Sequence, residues 1–330
     1  MLGGLPPVKR RFSNTKNQHK TNMTKNTLRA LAALILTPSA ALLAGTTESK
    51  TVVEKVKESC ITGDLGVAVV SQYISRGVVL ENQGAIVQPY TDLYFKLYEG
   101  DGFLNKISLN LGLWSSIHSR RTDSGAVGGG SSATRQWYEF DYTAGLSITF
   151  AKNFTFSPSF FSFLSPNDGF SDFYGLNLSL AYNDSELWGG KFALNPSVTM
   201  LIELQNKAGT GAEEGYYYEV ALNPTFAAGP ATIAIPIKAG FGSNDFYGSL
   251  NTTTGAIEDE SFGFVSVGVV ATVPLKFLPE CLGAWTANVG TTFYYLGDGT
   301  KDFNTAPRGG AVRDQDDTEI VFSGGVAVAF

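Results

Sequence analysis

Lys106–His118 reads KISLNLGLWSSIH. Ile107, Leu109, Leu111 and Leu113 share one face, and Lys106, Ser108, Asn110 and Gly112 share the other. A period of two is the mark of a strand with one wet and one apolar side. The run is also long. Strands of soluble domains average about five or six residues, whereas a tilted strand crossing a bilayer needs about 9–11. Trp137–Phe150 repeats the pattern, with Tyr138, Phe140, Tyr142, Leu146, Ile148 and Phe150 set against Glu139, Asp141, Thr143, Ser147 and Thr149. In 192–205, Leu194, Val198, Met200, Ile202 and Leu204 oppose Asn195, Ser197, Thr199 and Glu203.

Working outward, twelve such segments emerge: 65–77, 86–99, 106–118, 137–150, 153–165, 171–183, 192–205, 216–228, 231–243, 261–273, 285–297 and 318–330. Gaps after even segments are short, while most gaps after odd ones are long (119–136, 206–215, 244–260, 298–317). Backbone groups in lipid have no water to pair with, so a spanning sheet must close on itself. The reading is an all-β chain forming a closed antiparallel transmembrane β-barrel of twelve strands, with 65–77 pairing against 318–330. An even count returns the chain to its starting side. Pro89, Pro158, Pro196, Pro224 and Pro236 fall inside these segments, where each removes a ladder donor, and mark bulges or strand ends.

Composition agrees. The 330 residues are 43% hydrophobic but only 16% charged, with 37 Gly and 12% aromatics; soluble domains carry roughly 25% charge. The net charge of −6 is uneven, since residues 1–44 hold basic side chains (Lys9, Arg10, Arg11, Lys16, Lys20, Lys25, Arg29) and no acid. The remainder is strongly acidic, which excludes a nucleic-acid binder relying on phosphate neutralisation. The basic stretch precedes the apolar run Leu28–Leu43, the order of a secretory signal. Residues 1–44 are therefore expected to be a signal peptide, its true start lying at Met1 or Met23. Residues 45–62 form a periplasmic segment, a short helix or irregular, and 63–330 the barrel. The expected location is the bacterial outer membrane, both termini periplasmic.

Aromatic girdles are expected where rings meet headgroups: Tyr73, Trp114, Trp137, Tyr138, Tyr174, Tyr216, Tyr218, Tyr294 and Tyr295 at the outer rim, and Phe95, Phe150, Phe154, Tyr182, Phe192, Phe226, Trp285 and Phe330 at the inner one. The last segment presents Ile320, Phe322, Gly324, Val326, Val328 and Phe330 on one face. A final strand ending in an aromatic resembles the signal read by barrel assembly machinery, through Phe322, Val326, Val328 and Phe330.

The wet face places Arg76, Asp92, Lys96, Lys106, Glu139, Asp141, Glu203, Glu219, Lys238 and Glu319 in the lumen. Bases turned to lipid at mid-membrane cost about 2–4 kcal/mol each. Twelve strands enclose a narrow watery path, and the mild acidic excess favours cations or neutral solutes. This points to a porin or channel for small polar solutes or ions, with lipids, assembly machinery and solutes as partners, acting as a monomer or small homo-oligomer. The alternatives are a barrel enzyme hydrolysing lipid or peptide, and an adhesive barrel using its long loops. His118 lies near Ser115, Ser116 and Ser119, but no third triad member or oxyanion donor is identifiable from sequence. Asp314, Asp316 and Asp317 lack calcium-loop spacing. Gly128–Gly129–Gly130 and Gly189–Gly190–Lys191 lack the rest of a phosphate loop. No cofactor or metal is expected. Cys60 and Cys281 both fall on the periplasmic side, leaving open a disulfide or two free thiols.

At Ser71–Gly77 the chain carries S-x-Y-x-x-R-G (SQYISRG), followed by Val78–Val79 and then Ala85 with Gln88. This resembles the opening strand of the TorF-type porin family over about 64–98. The resemblance implies an outer-membrane barrel and makes Tyr73 and Arg76 positions of interest, with Arg76 lumenal near the outer mouth.

Overall fold

The structure, a computed structural model, describes residues 59–119, 136–243, 245–251, 253–305 and 316–330. The leader, most of 45–62, the Gly128–Gly130 run and Asp314 lie outside them. The strands are β1 (Ile61–Val70), β2 (Tyr73–Ser75), β3 (Val78–Glu81), β4 (Ile86–Glu99), β5 (Leu104–His118), β6 (Trp137–Phe150), β7 (Phe154–Leu164) and β8 (Phe173–Tyr182). Next come β9 (Phe192–Ala193), β10 (Ser197–Gln205), β11 (Tyr216–Leu222), β12 (Thr225–Ala228), β13 (Ala231–Ala234) and β14 (Ile237–Gly242). The last are β15 (Tyr247–Leu250), β16 (Ile257–Glu260), β17 (Phe262–Pro274), β18 (Ala284–Leu296) and β19 (Thr318–Ala329); an α-helix, α1 (Asp298–Thr305), precedes β19.

Twelve antiparallel staves make the wall. Three are interrupted: β9 with β10, β11 with β12 and β13 with β14 each form one stave broken around a proline (Pro196, Pro224, Pro236). The ladder survives the breaks because each proline still offers its carbonyl, to Tyr182 N–H, Ile235 N–H and Gly268 N–H respectively. Pro89 and Pro158 stay within β4 and β7. Each keeps its place opposite one neighbour (Val67, Leu178), while the ladder on the other side skips that rung. A missing N–H faces only one neighbour, so the cost is local.

Closure is complete. β1 pairs with β19 from Asp64 opposite Ala329 to Val70 opposite Ser323, and β14 pairs with both β11 and β17. Every stave thus has two neighbours and no edge is left unpaired.

The outside is apolar. Leu65, Leu113, Val198, Val269 and Val289 are each at least 45% exposed, spaced around the cylinder at alternate positions of their staves. In water such a surface would be untenable, since contiguous exposed apolar patches on soluble monomers stay within a few hundred Å². In lipid it is the required one. Among the described residues no helix is long and apolar enough to cross a membrane.

The first stave departs from its expected limits. It starts at Ile61, inside the segment assigned to a separate N-terminal region, and ends at Val70 rather than Gly77. Residues 73–81 leave the wall as a hairpin of β2 and β3, with Ser75 paired to Val78 across Arg76 and Gly77. Both turn residues have positive φ, +50° and +83°. That is the backbone a two-residue turn needs to match the twist of its strands. The motif read as one wall strand is instead a short strand, β2, and a turn at Arg76–Gly77.

Candidate functional site

Two loops and a helix join the hairpin inside the loop-side end of the cylinder. Phe246 and Tyr247, both fully buried, pack against inward side chains of six staves: Phe161, Phe173, Leu201, Tyr217, Phe264 and Leu296. This apolar core sits within the barrel, not around it. The fit is close: a Cβ on Gly211 would fall 1.5 Å from the Asp245 carbonyl oxygen. The hairpin is held from both sides. Tyr247 Oη donates to the Arg76 carbonyl at 2.9 Å. Asn304 of α1 accepts from Val79 N–H at 3.0 Å and donates to the Gly77 carbonyl at 3.3 Å. Tyr73 Oη donates to Glu139 Oε2 at 2.9 Å.

Beneath this plug lies a cavity of about 1390 Å³. Gln72–Arg76 form part of its upper end; Asn153, Asn183, Ser185 and Asn195, at the turns near the termini, form part of its lower end. No residue of 78–85, 165–172, 206–215, 245–261 or 297–305 lines it. Among the described residues the cavity thus reaches the terminus-side turns and stops at the hairpin.

Of the charges assigned to the lumen, Arg76, Asp92, Asp141, Glu219 and Lys238 line this cavity. Glu219 is satisfied by Lys238 Nζ at 3.0 Å and by Tyr217 Oη at 2.7 Å. Glu139, Glu203 and Glu319 are instead buried. Glu203 accepts from the N–H groups of Ala208, Gly209 and Gly215, holding the 206–215 loop. Lys106 is exposed, and Lys96 pairs with exposed Glu99 at 2.8 Å; both lie at the terminus-side end. The expected acidic excess does not hold for the cavity. Its charged lining is Asp92, Asp141 and Glu219 against Arg76, Lys191 and Lys238. Glu139 and Glu203 have been drawn into the plug and its anchors.

Further corrections follow from side-chain direction. Tyr73, Trp114 and Tyr294 line the cavity, and Tyr138 is buried against His118 and Phe170, so these four do not form an outer girdle. A register shift between Ser116 and Ile117 turns Tyr138 inward. Trp137, Tyr216, Tyr218 and Tyr295 remain outside, each at least 40% exposed. Phe322 and Val326 of β19 and the following Phe330 face outward, but Val328 is buried beneath the turn at Gly283. Cys60 and Cys281 are free and exposed.

His118 has a neighbour that the sequence did not reveal. Its Nε2 lies 2.9 Å from Ser116 Oγ and its Nδ1 3.9 Å from Glu81 Oε2 of β3. The order serine–histidine–carboxylate invites a hydrolase reading. However, all three side chains are fully buried, and none lines the cavity. Glu81 Oε1 also accepts the N–H groups of Asn82 and Gln83. As built, the group ties the hairpin to β5 and offers a substrate no approach.

Sequence reasoning put Asn110 and Thr143 on the wet face but missed Tyr90 and Tyr94 in the lining, although both fall on the wet phase of β4. The rings around Arg76 (Phe161, Phe163, Tyr217) carried no such signal, because aromatics were assigned to rims.

No family model and no curated protein matches this chain. Among solved structures it is similar to the COG4313 outer membrane channel from Pseudomonas putida F1 (11% identity, 86% of this chain and 100% of that one, TM-score 0.46). It is also similar to the NanC porin (11% identity, 80% and 98%, TM-score 0.41) and to the transport unit of the autotransporter AIDA-I from Escherichia coli (9% identity, 84% and 92%, TM-score 0.36). All three scores lie below 0.5, and the fold assignment rests on the strand pairing of this chain.

Proposed function

We propose that the protein is a porin or channel of the bacterial outer membrane, passing small polar solutes or ions. One observation carries this reading: a cylinder coated with apolar side chains encloses a large cavity lined by charges, amides and hydroxyls. A lipid-exposed wall around a wet interior is what passive diffusion across a bilayer needs. The balanced lining favours polar solutes without strong selection by net charge. In this reading Arg76, Asp92, Asp141, Glu219 and Lys238 lie along the solute path, and Lys96 and Lys106 stand at its periplasmic entrance. Both termini are periplasmic, residues 1–44 are removed as a signal, and the outward residues of β19, with Phe330, present the assembly signal. The S-x-Y-x-x-R-G resemblance supports membership of the TorF-type porin family. Purified protein in a planar bilayer tests the proposal: discrete conductance steps are expected, and their absence at every voltage, both from the unmutated protein and from variants whose plug is loosened, sinks it.

A further inference from the structure

We infer that the β2–β3 hairpin is the permeability barrier of this barrel, and that Arg76 at its tip decides which solutes pass. The inference rests on the channel reading above and deepens it.

Four observations converge. Among the described residues the cavity ends at the hairpin, and Arg76 is the cation that lines it there. The guanidinium is fixed yet unneutralised: its carbon lies 5.0 Å from the Phe163 ring centroid, 5.7 Å from Tyr217 and 5.9 Å from Phe161. It donates to Ser75 Oγ at 3.2 Å and makes no ion pair among the described residues. Stacking on rings orients a planar cation and leaves its remaining donors free. Lys238, the other mid-cavity cation, is already paired with Glu219.

Arg76 also sits at φ +50°. A non-glycine residue there is strained by about 1–3 kcal/mol, and such positions gather at functional sites. Glycine or asparagine would build the same turn at less cost. Finally, the hairpin is attached by side-chain contacts (Tyr247 and Asn304 to its turn, its own Tyr73 to Glu139, its Glu81 to His118), not by strand pairing to the wall. Such a segment can be displaced while the cylinder stays closed. The guanidinium is thus a fixed positive charge at the closed end of the cavity. Such a charge favours anions over bare cations.

The test is planar-bilayer recording of the full chain under a potassium chloride gradient. Arg76→Asn removes the charge while tolerating the left-handed backbone; Arg76→Lys keeps the charge and loses the ring stacking. Tyr247→Phe with Asn304→Ala, the loosened variant, removes the side-chain bonds to the turn carbonyls and leaves the Arg76 side chain in place. Arg76→Asn is expected to raise the potassium-to-chloride permeability ratio several-fold, up to about tenfold, with Arg76→Lys intermediate. The loosened variant is expected to spend more time open. Silence from the unmutated protein with conductance from the loosened variant also supports the barrier. If the unmutated protein conducts and all variants match it in selectivity and open time, the hairpin inference falls and the channel reading stands. Silence from every variant, each verified as a folded barrel by heat-modifiable gel mobility, overturns both.

Discussion

The two halves of this cylinder share one wall and have opposite interiors. Toward the termini, the inward positions are small or polar (Asn153, Thr155, Ser157, Ser179, Thr232, Thr286), the connections are short, and the space stays open. Toward the long loops, the inward positions are Phe161, Phe173, Leu201, Tyr217 and Phe264, and Phe246 and Tyr247 fill the space between them. Alternation along a stave says only which way a side chain points. What the inside becomes depends on whether a loop is long enough and apolar enough to fold back into it. The plug is a small soluble core wrapped in a membrane barrel, and it obeys the rules of cores.

That contrast can be broken at several points. The largest effect is expected at Phe246→Ala. Removing a fully buried phenylalanine costs roughly 3–5 kcal/mol, which should expose 243–261 to limited proteolysis while the barrel keeps its heat-modifiable mobility. Loss of the barrel instead would show that plug and wall are one cooperative unit. Next come adjacent residues of β8 that point opposite ways, Leu178 outward and Ser179 into the cavity. Leu178→Arg should destabilise the barrel in bilayers by about 2–4 kcal/mol, whereas Ser179→Arg should leave stability alone and narrow the conductance. Equal stability costs at both positions would undo the assignment of faces.

A smaller effect belongs to a terminus-side turn. Burial alone would push the Asp184 carboxyl up, but N–H donors from Asn195, Trp188 and Leu194 outweigh it and hold the group below its ordinary value. A depressed carboxylate contributes stability above its unfolded pKa, about 3.9, and loses it as pH falls through the lower folded value. Denaturant unfolding of Asp184→Asn against the unmutated protein should therefore show a gap at neutral pH that shrinks below about pH 4. Smallest of all is Lys301→Gln on α1. Its pairing with exposed Asp298 lifts the lysine pKa, yet pairs so open to water contribute little, and plug stability should stay unchanged within error.

Much of the wall was legible because lipid imposes a strict condition on each stave: length, alternation and a neighbour on both sides. Positions 86–99 and 137–150 match β4 and β6 to the residue, and the proline-broken staves kept their limits to within one residue. The misreadings share one cause. Ser71–Gly77 alternates well enough to pass for strand, but Arg76–Gly77 turns the chain inward. Tyr73, Trp114 and Tyr294 look like girdle residues from strand position alone, yet face water and the plug. Glu81 was invisible as a partner of His118 because the two are brought together by a loop folding back, which no spacing encodes.

Sequence alone determined the class of wall, its number of staves and which phase of each faces lipid, because those follow from local periodicity and from the penalty on unpaired backbone in hydrocarbon. Tertiary structure alone decided that half the lumen is filled, that its acids are divided between cavity and plug, and that Arg76 stands at the boundary. Those outcomes arise from contacts between segments far apart in the chain, where packing in three dimensions and not the alternation of neighbours sets the energy.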